Sequence, residues 1–155
     1  DDFSPEKSFK QISAKNLQKV FNINAIGPAL VGRSFIPLLD NKNSSVLSFL
    51  SARVGSISDN KLGGWHAYRA SKAALNMLIK NFSIELSRTN KLAKVIGLHP
   101  GTVDTQLSKP FQRNVSENKL FTPEFAVSSM ATVIDNLTDN ESGLVFAFDG
   151  SKIDS

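Results

Sequence analysis

Cysteine is absent from this 155-residue chain, which excludes a disulfide framework and any thiolate metal site. Only two histidines occur, His66 and His99, too far apart for a histidine-rich metal motif, so no metal is expected. Long apolar runs are missing as well. The most apolar stretch, positions 20–39, is interrupted by Asn22, Asn24 and Arg33, and a membrane span of about 18 or more apolar residues is not expected. No basic, apolar, small-residue signal opens the sequence, and the reading is of a cytoplasmic protein. The net charge of +4 comes from lysines scattered among loops and helix flanks, such as Lys42, Lys61, Lys91 and Lys119. Without a basic run interleaved with aromatics, specific nucleic-acid binding is not expected.

What is present describes one compact domain. A hydrophobic content of 41% and a charged content of 21% suit a chain that buries a core. Ser13 is a candidate cap for a long helix reaching about Leu39, with Leu17, Val20, Phe21, Val31, Phe35 and Leu38 at spacings of threes and fours. Further helices are predicted from Ala67 to Arg88, with Leu75, Leu78, Phe82 and Leu86 on one stripe, and from Pro123 to Leu137. Strands are predicted over Ser45 to Leu50, Ala93 to Leu98 and Leu144 to Phe148. Their alternation implies an α/β fold with a parallel sheet covered on both faces.

Tyr68-Arg69-Ala70-Ser71-Lys72 places a phenol and an ammonium four residues apart at the start of a predicted helix. Residues i and i+4 share a helix face, about 6 Å apart along the axis. An ammonium held beside a phenol favours the phenolate, so the Tyr68 pKa is expected to fall from about 10 towards neutrality. That is the chemistry of a proton donor to a carbonyl or alcohol oxygen. An isolated pair of this kind is more often a surface tyrosine near a surface lysine.

The pair keeps specific company. Phe21-Asn22-Ile23-Asn24-Ala25-Ile26-Gly27-Pro28 and Leu50-Ser51-Ala52-Arg53-Val54-Gly55-Ser56-Ile57 precede it, and His99-Pro100-Gly101-Thr102-Val103-Asp104-Thr105 follows. In this order and spacing the segments resemble the short-chain dehydrogenase/reductase family, most closely its carbonyl-reductase subgroup with the sniffer-like proteins. The resemblance spans nearly the whole chain. It implies an NAD- or NADP-dependent oxidoreductase that reduces a carbonyl or oxidises an alcohol, with a small-molecule substrate and homo-oligomeric assembly when complete.

Within that resemblance Tyr68 is the acid/base group, and Lys72 lowers its pKa and bonds the nicotinamide ribose. Asn24 supports a water relay: Pro28 lacks an N–H, so the Asn24 carbonyl loses its intrahelical donor and a kink is expected there. An asparagine that merely satisfies a bend is the plainer alternative. Pro100, Gly101, Thr102, Val103 and Thr105 would hold the nicotinamide end of the cofactor, and Gln106 to Leu120, with Pro110 and Phe111, would form a lid over the substrate. The substrate-orienting serine is displaced. Its usual position is occupied by Ala52, and Ser51, turned inward by a bulge, is preferred to Ser56 for the role.

Three strands are about half of a doubly wound dinucleotide-binding sheet, and no G-x-G-x-x-G or G-x-x-x-G-x-G turn occurs in the sequence. The expectation is therefore the C-terminal half of a doubly wound, Rossmann-type parallel-sheet fold, with residues 1–155 forming a single partial domain. A non-catalytic interaction or signalling protein keeping the same fold is the alternative, supported by Ala52 and the missing glycine turn. A sugar-nucleotide epimerase shares the tyrosine–lysine pair, but the Pro100 turn and short ending argue against it.

Overall fold

The computed structural model describes residues 5–109, 112, 115, 116 and 119–154. The first helical run starts where Ser13 Oγ accepts the N–H of Asn16 at 3.2 Å, capping α1 (Ala14–Phe21). The run continues through a π segment, Asn22–Ile26, into α2 (Gly27–Phe35) and a 3₁₀ turn, Ile36–Leu38. The expected kink takes the form of this π turn. Pro28 has no N–H to offer, and just before it the Gly27 N–H reaches back five residues to the Asn22 carbonyl, widening the helix by one residue.

α3 spans His66–Leu86 and α4 spans Pro123–Asp135. Thr122 caps α4, its Oγ1 accepting the Phe125 N–H at 3.2 Å, and Pro123 fills the first turn where a missing N–H costs nothing. Between the helices lie β1 (Ser45–Leu50), β2 (Ala93–His99), the short β3 (Thr102–Val103) and β4 (Leu120–Phe121), β5 (Val145–Ala147) and β6 (Lys152–Ile153).

The main sheet has the order β1-β2-β5-β6. β1 runs parallel to β2 with Leu50 opposite Leu98, and β5 runs parallel to β2 with Val145 opposite Gly97. Two features correct the three-strand expectation. β6 pairs antiparallel with β5, and β3 pairs in parallel with β4 as a separate two-stranded ribbon. Strands of two residues are too short to show the alternation from which strands are read.

β2 is central and is buried from Ala93 to Leu98. Its side chains alternate between two cores. Val95 joins Phe49, Leu75, Ile79 and Leu86 beneath α3, with Ile36, Leu47 and Phe82 at the margin. Ile96 and Leu98 join Val133 and Phe146 beneath α4. Leu75 and Ile79 are completely enclosed, each worth about 2 kcal/mol in apolar burial. This anchors α3 to the sheet one turn beyond Lys72. No helix among the described residues is long and apolar enough to cross a membrane.

Candidate active site

Tyr68 and Lys72 lie in the first two turns of α3, over the carboxyl ends of β1 and β2. Tyr68 is half-buried and Lys72 is only 9% exposed. Lys72 Nζ lies 6.0 Å from the centroid of the Tyr68 ring and donates to the Leu50 carbonyl at 2.8 Å, where β1 ends. Gly55 makes this approach possible. A Cβ at that position would stand 2.8 Å from Lys72 Cβ and 2.9 Å from its carbonyl carbon.

Burial reverses the expected titration. It pushes the Tyr68 phenol above its ordinary value and the Lys72 ammonium below its own. Water stabilises phenolate and ammonium alike, so removing it disfavours both charged forms. The expected fall in the Tyr68 pKa is corrected accordingly: the ammonium is bonded to the Leu50 carbonyl rather than to the phenol oxygen.

Asn24 sits in the π segment and sends its Nδ2 to Ser71 Oγ at 3.1 Å. Ser71 Oγ in turn donates to the Tyr68 carbonyl at 2.8 Å. Asn24 is thus joined to α3 between Tyr68 and Lys72, and its side chain has a structural partner whatever its carbonyl holds.

Ser51 does not bulge. Its N–H continues the β1–β2 ladder to the Leu98 carbonyl at 2.8 Å, and its buried hydroxyl donates to Asn76 Oδ1 at 2.5 Å. Asn76 is two turns beyond Tyr68, about 12 Å along the helix axis. The inward-turned Ser51 is therefore corrected: its hydroxyl serves the β1–α3 contact. Ser56, also buried, accepts the Asp59 N–H at 3.1 Å and belongs to its own loop. Ala52 begins the Arg53–Gly55 turn, where its carbonyl accepts the Gly55 N–H at 2.9 Å.

Pro100 and Gly101 follow β2 directly. Gly101 has φ 76°, a left-handed conformation that a side chain would strain, and a Cβ there would meet Phe121 at 2.6 Å. Thr102 and Val103 form β3, and Thr105 N–H donates to Ser108 Oγ at 3.2 Å. Phe121, Phe125 and Phe148 pack behind the turn, with centroids 4.8 and 4.5 Å from Phe121. Pro110 and Phe111 of the expected lid lie outside the described residues.

His99 also belongs to this neighbourhood. It ends β2 opposite Ala147, and its pKa is lowered to about 4 by burial first, then by Arg53 and Lys72, with Asp149 opposing them. Among the described residues no cluster of three or more metal-ligating side chains occurs.

The donor set fits the nicotinamide half of a dinucleotide. Lys72 is a buried ammonium whose hydrogen bond among the described residues leaves further N–H groups for hydroxyls. A glycine-rich pyrophosphate turn is not part of this sequence.

Comparison with known proteins bears on the family and the fold. The family described as short chain dehydrogenase matches residues 3–116. A 1-hydroxy-2-glutathionyl-2-methyl-3-butene dehydrogenase from a Rhodococcus species is 39% identical over 135 residues, 87% of this chain and 57% of that protein. The C-signal protein of Myxococcus xanthus is 35% identical over 138 residues, covering 89% of this chain and 78% of its own. The NADPH-bound carbonyl reductase from chicken fatty liver superposes with a TM-score of 0.83 at 26% identity, over 99% of this chain and 62% of that one. Carbonyl reductase Sniffer of D. melanogaster shares the fold, with a TM-score of 0.84 at 21% identity. The chain spans a little over half the length of the first of these curated relatives. By sequence and by fold, the chain belongs to the short-chain dehydrogenase family.

Proposed function

We infer that this chain carries the acid/base half of an NAD(P)-dependent oxidoreductase that interconverts a small-molecule carbonyl and its alcohol. The observation that carries the reading is the pairing of the half-buried Tyr68 with the buried Lys72, whose ammonium is bonded to the end of β1. Burial holds the phenol in its protonated form. Tyr68 stays protonated at neutral pH, and its O–H delivers a proton to the substrate oxygen as the carbonyl is reduced. In the oxidative direction the same oxygen receives it.

Lys72 supplies a buried positive charge that opposes loss of the phenolate's stability once the proton has left. Asn24, bonded to Ser71, supports proton resupply along the Lys72 side of α3. Tyr68, Lys72, Pro100, Gly101, Thr102, Val103 and Thr105 would hold the nicotinamide end of NAD or NADP, which when bound supplies or accepts the hydride. An NADPH-bound structural relative supports the cofactor class. The cytoplasm is the compartment this reading implies, and exposed Ile23, Ile26 and Leu30 along the first helical run support homo-oligomeric assembly.

A non-catalytic signalling role has Ala52 and the name of the C-signal relative in its favour. The oxidoreductase reading is preferred because both groups needed for proton transfer are present on one face of α3. Oxidation of NADPH and NADH against a panel of carbonyl compounds tests it. Turnover that depends on Tyr68 is the expected result, and turnover unchanged in Tyr68→Phe overturns it.

A further inference from the structure

We propose that Glu6 is a positioning residue for Tyr68, acting as a remote cap that fixes the first turn of α3. The inference rests on the assignment of Tyr68 as the acid/base group, and it begins from a defect in the helix start. The residue at the N-cap, Trp65, has left-handed backbone with φ 51° and makes no side-chain cap bond. The first N–H groups of any helix lack intrahelical acceptors, and burying them unpaired is costly.

Glu6 supplies what Trp65 does not. Its backbone carbonyl accepts the Trp65 N–H at 2.6 Å, and its carboxylate Oε2 accepts the Ala67 N–H at 3.3 Å. The other carboxylate oxygen accepts from Asn16 Nδ2 on α1. Glu6 is 4% exposed, although it lies 61 residues from Ala67 in sequence. A carboxylate seldom enters a core without such partners. Its negative charge also lies at the positive end of α3, where it is favoured.

The consequence falls on the next residue. Tyr68 follows Ala67 directly, and its ring lies 6.4 Å from that of Trp65, so the aromatic pair sits on one Glu6 contact and beside the other. Asn24 and Ser71 tie α3 down from the Lys72 side. With Glu6 holding one end and Asn24 the other, the turn bearing the phenol cannot rotate or fray independently of the first helical run.

The chain has one tyrosine and one tryptophan, so tyrosinate absorbance reports Tyr68 alone, with no need for turnover. Burial is what raises the phenol pKa. Glu6→Ala frees the first turn, wets the ring and moves the titration down towards the ordinary tyrosine value. Asn16→Ala removes the other partner of Glu6 and leaves the Ala67 bond intact, so its titration matches the parent chain. Glu6→Gln keeps an amide oxygen for Ala67 and restores most of the parent behaviour. Far-UV circular dichroism shows that each variant compared is folded. A Glu6→Ala titration superposing on the parent overturns the proposal, and so does an equal shift in Asn16→Ala, which would mark general loosening.

Amide hydrogen exchange on the unaltered chain decides the matter if Glu6→Ala does not fold. The Ala67 amide is expected to exchange at least about tenfold more slowly than in an unstructured peptide; exchange at the unstructured rate overturns the proposal. Neither measurement uses the reaction. A Tyr68→Phe variant with full turnover would therefore defeat the functional reading and leave these outcomes to judge Glu6 separately.

Discussion

Lys72 donates to the carbonyl of Leu50 at 2.8 Å, so the ammonium that lies 6.0 Å from the Tyr68 ring is fixed by the last residue of β1. The strand end and the helix start form one unit. The bond accounts for a lysine that is almost fully enclosed, because a buried ammonium needs an acceptor to offset its lost hydration.

Tyr68→Phe keeps the ring and removes the proton. In a protein carrying the whole dinucleotide site, turnover of a carbonyl substrate is expected to fall by about 10²-fold or more, with cofactor affinity little changed. Lys72→Met behaves differently. It loses the charge and the proposed ribose contact, so both rate and cofactor affinity are expected to fall. Met fills nearly the same volume without a buried charge, so stability to urea is expected to hold within about 1 kcal/mol. Steady-state kinetics beside denaturation curves separate the two effects; a variant that loses stability and keeps its rate contradicts the assignment.

Ser51→Ala and Ala52→Ser test where the substrate-orienting hydroxyl can reside. Removing the Ser51 hydroxyl leaves Asn76 Oδ1 without its donor, a loss of about 1–2 kcal/mol in stability with little effect on the rate per folded molecule. Ala52→Ser puts a hydroxyl at the position proposed for the orienting serine, and serine is a favoured residue at the start of the Arg53–Gly55 turn. Turnover is expected to rise, with a stability cost of about 1 kcal/mol or more if the buried hydroxyl finds no partner. A large fall in kcat for Ser51→Ala would return the orienting role to Ser51.

His99 makes stability depend on pH in the acid range. Its folded pKa, about 4, lies below the model-peptide value of 6.5, so the unfolded chain binds the proton more readily. The stabilisation is present above pH 6.5 and is lost as pH falls through 4. At pH 5 the loss amounts to about 2 kcal/mol relative to neutral pH. His99→Asn should flatten that part of the profile. Urea denaturation of both proteins at neutral pH and at pH 5 checks it, and parallel losses in the two would remove His99 from the account.

The parts legible in the sequence were those that repeat. β1 and β2 showed apolar runs, α3 and α4 showed stripes and caps, and Pro28 marked a disturbance where the π turn lies. β6 and the β3–β4 ribbon, two residues per strand, carry no period to read. The Ser51–Asn76 and Glu6–Ala67 bonds join residues 25 and 61 positions apart, and no spacing rule connects them. The direction of the Tyr68 pKa was missed for a related reason. Helical spacing exposes the neighbouring charge, whereas burial depends on the whole fold.

Gly55→Ala gives the most local test of how the 53–55 turn positions Lys72. Gly55 has no unusual backbone angle to lose, so the cost comes from contact alone. The added methyl would stand 2.8 Å from Lys72 Cβ, 2.9 Å from Lys72 C and 3.1 Å from Ala73 N, all inside the ordinary carbon separation of about 3.5 Å. Two of these atoms are helix backbone and cannot swing aside like a side-chain tip. The turn and α3 must therefore separate, stretching the Lys72 bond to Leu50. Overpacking of this kind costs about 1–3 kcal/mol, and cofactor affinity should weaken with it because the ammonium moves. Denaturation midpoint and cofactor titration on the same preparation check both. Unchanged stability together with unchanged affinity would show that the turn yields freely and does not set the position of Lys72.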